Sequence, residues 1–450
     1  MKKVLCVLMA FALLSGVCFA NGASETTATP AAAKRSGPIE LTFWHAMGGV
    51  NGEALVSMVN EFNKQNEGKI HVNYEYQGKY DDEFSKIQAS GGKYPCDIIQ
   101  VYDIGTRYMI DSGWIVPVQN YIKKDNYDIS KIEPNIAAYY TVDNTLYSMP
   151  FNSSTPVLYY NKTAFKEAGI DKAPACFEDV FADAAKLKQV NADGSVKRYG
   201  FGMGNYGWFF EQWVGKMGKH YVNNNNGRGK DHATAVEFDS NGAGIQILNV
   251  WDKVLKEGIG PYLNMGNEDA KAAFISGNIC ITLESTAALK SLLTNVGDKF
   301  EIGVGYFPSI NRNDVGGVSV GGGSLWMMNT GDQARMDATW EFLKFMISPE
   351  EQAFWNSKTG YFPVTVAAAD TQTFKDNIAK YPQFQVAIDQ LHSSAPQYAG
   401  ALLSVFSESR QIVQNYIARL ANKELDAQGT LDGMVKEINK AIDSYNLANY

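Results

Sequence analysis

The sequence predicts an α/β fold divided into at least two domains, and three observations carry that reading. Residues 38–102 alternate strand-like and helix-like hydrophobic patterns, and the alternation starts again after residue 153. About 410 residues remain beyond a removable leader, more than one hydrophobic core organises.

Ile39, Leu41 and Phe43 alternate with polar residues, the period of a strand, and Leu55, Met58, Val59 and Phe62 follow at helical spacing. Ile70, Val72, Tyr74 and Tyr76 form a second alternating run, Asp81 to Ala89 a second helix, and "DIIQVY" (97–102) a continuous apolar strand. Strand, helix, strand, helix, strand is the grammar of a parallel sheet, which collects ligands at the carboxyl ends of its strands. Three loops fall there: "WHAMGG", "YQGKY" and "YDIGT".

After the hydroxyl-rich stretch "SMPFNSSTP", "VLYYN" reads as a strand and Lys162 to Ala168 as a helix closed by Gly169. Helix Glu178 to Lys188, the turn "NADGS" and the aromatic segment "YGFGMGNYGWFFEQW" follow. "KAAFISGNICITLES" predicts a helix, a glycine turn and a strand. From Met336 onward the chain reads as mainly helical, ending in three amphipathic segments between Phe374 and Tyr445. Asn223 to Asn226 with Gly227 reads as a surface loop, and there is no repeat at a fixed period.

Residues 1–20 read as a signal peptide: Lys2 and Lys3 precede an apolar run from Val4 to Val17, and Cys18-Phe19-Ala20 has the small-x-Ala form of a cleavage site. Residues 21–37 are expected to be a disordered leader. Export as a soluble periplasmic protein is the expectation, with a lipid anchor on Cys18 as the alternative. Cys96, Cys176 and Cys280 are scattered and odd in number, which gives neither a disulfide framework nor metal-ligand spacing. His45, His71, His220, His232 and His392 form no ligand pair, so neither a metal nor a cofactor is expected. Without Lys2 and Lys3 the charge balance is 38 basic against 48 acidic residues, a net of −10, which argues against nucleic acid and anionic membrane surfaces.

One enzyme motif needs weighing. Gly317 to Gly321, "GVSVG", fits G-x-S-x-G, and Asp370 or Asp389 followed by His392 supplies the Ser, acid, His order of a secreted ester or phosphodiester hydrolase. A nucleophile elbow needs a strand before the serine and a helix after it, whereas "GGGSLWMM" reads as loop and strand. Aromatics crowd the strand-end loops, Trp44, Tyr76, Tyr80, Tyr102, Trp208 and Tyr361 among them, as the walls of a small-molecule cleft would. Arg410 lies in a helical pattern beside Phe406, where it is either a surface ion pair or an inward-facing fork for carboxylate or phosphate.

Together "LTFWHAMGG", "YQGKY", "QVYDIGT", "PFNSSTPVLYYNK", "GGGSLWMM" and "TGYFPVT" resemble the family 1 extracellular solute-binding proteins of ABC importers, in their glycerol-phosphate-binding branch. The resemblance runs from about residue 38 to the C-terminal helices. It implies a two-lobed periplasmic-binding-protein fold with a hinge, a ligand held in the cleft between the lobes, and no chemistry performed. The expected lobes are 38–153 plus about 290–345, and 154–289 plus about 346–450. The implied ligand is glycerol 3-phosphate or a glycerophosphodiester, the partners are the transmembrane subunits of an ABC permease, and the protein is expected to be a monomer. An oligosaccharide is the alternative ligand.

Carried over residue by residue, the resemblance implies ligand contacts from Tyr80, Ser154, Ser285, Gly322, Tyr361 and Arg410. Arg410 would bring charge and forked donors, the hydroxyls neutral donors, and Gly322 a closely approaching backbone N–H. Asp103 stands where the family pattern has glutamate and would accept from glycerol hydroxyls. Trp44, Asn205 and Trp208 are the expected cleft wall. Asn205 replaces the first of two family tryptophans, which opens room for a headgroup such as that of glycerophosphocholine, and Tyr206 is placed to refill part of it.

Overall fold

The computed structural model describes residues 37–450 except Tyr94, Tyr262, Asn264 and Met265. The expected signal peptide, Cys18 and the leader up to residue 36 lie outside the described residues.

Two sheets organise the chain. In the first, the strands run in the order Ile70–Tyr76, Ile39–His45, Ile98–Tyr102, Gly321–Met328, Ile115–Val116, with Met149–Ser154 also paired to Gly321–Met328. The first three are parallel, as the alternating pattern predicts, and Gly321–Met328 joins them antiparallel. Leu41 and Phe43 are fully buried, and Leu55, Met58, Val59 and Phe62 form the buried face of helix Gly49–Gln65. Of the second alternating run only Val72 is buried; Tyr74 and Tyr76 are exposed, because Ile70–Tyr76 is the edge strand.

The second sheet runs Ile302–Tyr306, Pro156–Asn161, Ile279–Ser285, Val196–Gly202, Gln189–Val190. Val196–Gly202 and Ile279–Ser285 are parallel, while Pro156–Asn161 is antiparallel to both neighbours. Helices Phe406–Ala421 and Ala427–Asn449 pack with Gly207–Lys216 and Ala243–Lys256 on this side.

Three expectations change. Ile302–Tyr306 belongs to the second sheet, although the sequence reading grouped about 290–345 with the first lobe. Its five residues carry no local sign of which strand they pair with. Helix Pro349–Lys358 packs on Gly49–Gln65, the first-sheet side, where Trp355 stacks on Phe151 at 5.0 Å, although everything after about 346 was grouped with the second lobe. The C-terminal region also holds four helices, not three: Gln372–Lys380, Gln383–Ser393, Phe406–Ala421 and Ala427–Asn449. Pro382 separates the first two, since proline supplies no N–H to continue a helix.

The hydroxyl-rich stretch is where the chain crosses between sheets. Ser154 ends a strand of the first sheet, Pro156 begins one of the second, and Thr155 lies between them. Its backbone has no ladder to join, so Thr286 completes it with backbone and side chain: Thr286 N donates to Thr155 O (3.0 Å) and Thr155 N to Thr286 Oγ1 (3.4 Å). Buried Gln390 donates to Thr155 Oγ1 (3.0 Å) and Pro156 O (2.7 Å), while its Oε1 accepts from Phe307 N (2.6 Å). Ser148 donates to Ser324 Oγ at 2.8 Å.

Cys96, Cys176 and Cys280 are free and buried. Among the described residues no helix is long and apolar enough to cross a membrane. Because Gln390 satisfies two groups of the crossing and the Phe307 N–H, Gln390→Leu should lower unfolding free energy by about 2–4 kcal/mol, the cost of stranding buried polar atoms. Urea titration measures this, and a change below about 0.5 kcal/mol would assign the crossing's stability elsewhere.

Candidate functional site

A cleft of about 560 Å³ opens at the carboxyl ends of the parallel strands. All three loops expected there reach it, through Ala46 and Gly48, Tyr80, and Tyr102. The second sheet contributes Ser285 at the end of its central strand, and helix Phe406–Ala421 contributes Arg410.

Tyr80 opens helix Tyr80–Ser90, stacks on Tyr102 at 5.3 Å and accepts a hydrogen bond from Asn152 Nδ2 (2.6 Å). Asn152 is fixed in turn by Gln100 Nε2 (2.8 Å), whose Oε1 takes Ala46 N (3.0 Å). Burial, with Tyr361 next to it, pushes the Tyr80 phenol well above its ordinary range. Tyr361 is buried and stacks on Trp355 at 5.4 Å. Ser154 and Gly322 lie beside this group on paired strands, Gly321 opposite Ser154 and Gly322 opposite Ser153. Gly322 has φ +89°, and a Cβ there would stand 1.9 Å from Asn152 O, so only glycine lets the two strands approach this closely. Ser153 Oγ is buried without a partner.

The charged part is a buried trio. Arg410, 7% exposed, donates from Nε and Nη2 to the two oxygens of Glu211, both at 2.7 Å. Asp103 Oδ2 is 3.7 Å from Nη2, and the Tyr206 ring lies 5.9 Å from the guanidinium. Burial pushes Asp103 up to about 7, against the pull of Arg410, and it also raises Glu211. Asp103 and Glu211 face a second cavity of about 160 Å³, while Arg410 faces the larger cleft.

Tyr80, Ser285 and Arg410 thus share the main cleft, Ser154 and Tyr361 are buried beside Tyr80 with Gly322 half-buried, and Asp103 sits behind Arg410. The expected wall is arranged differently. Trp44 is half-buried and donates to Glu75 (2.8 Å), outside the cleft lining. Asn205 turns into the protein and donates to Gln414 O (2.8 Å), and buried Trp208 packs against Gly321. Tyr206 is the aromatic that lines the cleft from this segment. Sequence reasoning missed Glu211, Gln414 and Glu284. The available signals were helical spacing, three residues from Trp208 to Glu211 and four from Arg410 to Gln414. Glu284 lies in a continuous apolar strand, where nothing in the pattern marks it.

A family model described as bacterial extracellular solute-binding protein matches residues 57–385. The sn-glycerol-3-phosphate-binding periplasmic protein UgpB of Yersinia pestis is 33% identical over 425 residues, covering 91% of this chain and 94% of that protein. The chain belongs to the bacterial extracellular solute-binding proteins. Among solved structures, UgpB from Mycobacterium tuberculosis in complex with glycerophosphocholine matches this solute-binding protein with TM-score 0.74 at 20% identity, over 92% of this chain and 100% of that one. The GacH receptor of Streptomyces glaucescens, solved unliganded and with acarbose, matches with TM-score 0.73 at 17% identity, over 90% and 98%. At these identities the two structures establish the two-lobed α/β fold of the solute-binding protein.

The hydrolase arrangement is not formed in it. Ser319 is followed by strand Gly321–Met328, not a helix, and its Oγ accepts from Gln212 Nε2 (2.8 Å). His392 is exposed, and its Nε2 lies 3.4 Å from a Glu133 carboxylate oxygen.

Gly322→Ala should lower stability by about 2–4 kcal/mol, since the residue must leave positive φ and push Asn152 aside. Thermal and urea unfolding test this. Asp103 makes a second expectation. Its folded pKa lies above the ordinary carboxylate value, so its stabilising share is complete below about pH 4 and lost as pH rises through about 7. Unfolding free energy should therefore fall between about pH 4 and about pH 7, and fall less in Asp103→Asn.

Proposed function

We propose that the protein is the extracytoplasmic receptor of an ABC importer that captures glycerol 3-phosphate or a glycerophosphodiester between two lobes and hands it to the permease. One lobe is built on each sheet, and the chain crossing at Thr155 is part of the hinge. The observation that carries the ligand class is a buried guanidinium, Arg410, opening onto a cleft bordered by Tyr80 and Ser285. Glu211 takes one edge of the fork, and the other edge offers N–H groups to a phosphate oxygen. Tyr80, Ser154, Ser285 and Tyr361 add hydroxyl donors, Gly322 adds a backbone N–H, Asp103 accepts from glycerol hydroxyls, and Tyr206 supplies apolar surface.

Closure of the lobes would exclude water and strengthen each of these bonds. The protein acts as a monomer and without catalysis, and its acidic charge supports a reading without nucleic acid. It is exported as a soluble protein or held by lipid on Cys18. An oligosaccharide is the second reading, favoured by the aromatic side chains Tyr80, Tyr102 and Tyr206 along the cleft.

Calorimetric titration of ligand-stripped protein with glycerol 3-phosphate, glycerophosphocholine and maltose separates these. A glycerol phosphate should bind and maltose should not; binding of maltose alone would replace the proposal with the sugar reading. Arg410→Ala would strand two buried carboxylates and risk the fold. The paired change Arg410→Gln with Glu211→Gln removes both charges together, and should keep the fold while weakening glycerol phosphates about 100-fold, the loss of a charge-assisted phosphate pair.

A further inference from the structure

Glu211 holds two of Arg410's donors at 2.7 Å, in the bidentate geometry that a phosphate would otherwise claim. The guanidinium therefore enters the cleft already neutralised. The surroundings do not restore positive charge. Among the described residues the cleft is lined by three cationic side chains, Lys79, Lys271 and Arg410, and three carboxylates, Asp81, Glu268 and Glu284. Glu211 and Asp103 stand directly behind Arg410, so carboxylates exceed cations. A phosphomonoester carries nearly two negative charges at neutral pH, whereas a phosphodiester carries one. In a site of low effective dielectric, each additional unit of ligand charge is repelled by uncompensated carboxylates nearby.

We propose that Glu211 is a specificity-determining residue that makes the site select a phosphodiester monoanion over a phosphomonoester dianion. The inference rests on the glycerol phosphate reading and narrows it. It gives the room beside Tyr206, Ser285 and Lys271 a use, because the second alcohol of a diester extends from the phosphate along the same cleft.

The test is calorimetry at one salt concentration and about pH 7.5, with wild type and Glu211→Gln, using glycerol 3-phosphate, its phosphate methyl ester and glycerophosphocholine. Wild type should prefer both diesters over the monoester by about tenfold or more, the scale set by one extra charge near a buried carboxylate. Glu211→Gln should shrink that preference about tenfold, by strengthening the monoester. The methyl ester separates phosphate charge from any contribution of a choline group. An unchanged preference in Glu211→Gln, or equal weakening of all three ligands, would overturn the proposal and leave Glu211 a structural partner of Arg410. Should the variant fail to fold, the wild-type comparison of glycerol 3-phosphate with its methyl ester decides alone, and equal affinities overturn the charge filter. Binding of none of the three by wild type would instead refute the glycerol phosphate reading itself.

Discussion

A polypeptide that leaves one sheet and enters another must satisfy its backbone at the crossing without a ladder, and this constraint shapes the molecule around Thr155. Ser154 is paired to Gly321 and Pro156 to Ser285, so the switch is completed within one residue. Proline at the second position removes a donor that would otherwise need a partner. The remaining groups are met by Thr286 and Gln390, which arrive from strand and helix ends distant in sequence. Because the crossing is so short, the carboxyl ends of the strands from both sheets open onto the same space, and Tyr80 and Ser285 reach one cleft from opposite sides.

The charged trio follows from the same geometry. Arg410 is carried on helix Phe406–Ala421, which packs on helices Gly207–Lys216 and Ala427–Asn449, and Asp103 on the turn that leaves the first sheet. An ion so deeply buried is tolerated only when paired, and Glu211, on helix Gly207–Lys216, pairs it within one side of the molecule. Asp103 approaches from the other side at 3.7 Å, near but not in ideal contact. Electrostatics across the cleft is therefore set by residues on three separate elements.

Much of the first sheet was legible because its strands and helices have clean periods: Leu41 and Phe43 at two, Leu55 to Phe62 at helical spacing. The three strand-end loops were legible for the same reason, since parallel strands fix where loops emerge. Membership of Ile302–Tyr306 was not, because pairing is a tertiary choice that a five-residue strand does not record. The inward turn of Arg410 was one of two readings the sequence left open, permitted by Phe406 beside it but not chosen over a surface ion pair. Its partner Glu211 was hidden, because a glutamate on an amphipathic helix reads as solvated until the packing of a second helix buries it. Asn205 shows the limit most sharply. Its identity suggested an opened wall, but the side chain satisfies a carbonyl of the neighbouring helix and leaves the surface to Tyr206.

The three buried thiols give the molecule a chemical property of its own. Burial raises Cys96 well above the ordinary thiol range and Cys280 to about 11. Thiol–disulfide exchange and oxidation proceed through the thiolate, so both sulfurs are protected twice, by inaccessibility and by protonation. Cys96 and Cys280 are thereby kept out of mispaired bridges for as long as the protein stays folded. The rate at which those two thiols react with an external reagent therefore follows how often the interior opens around them.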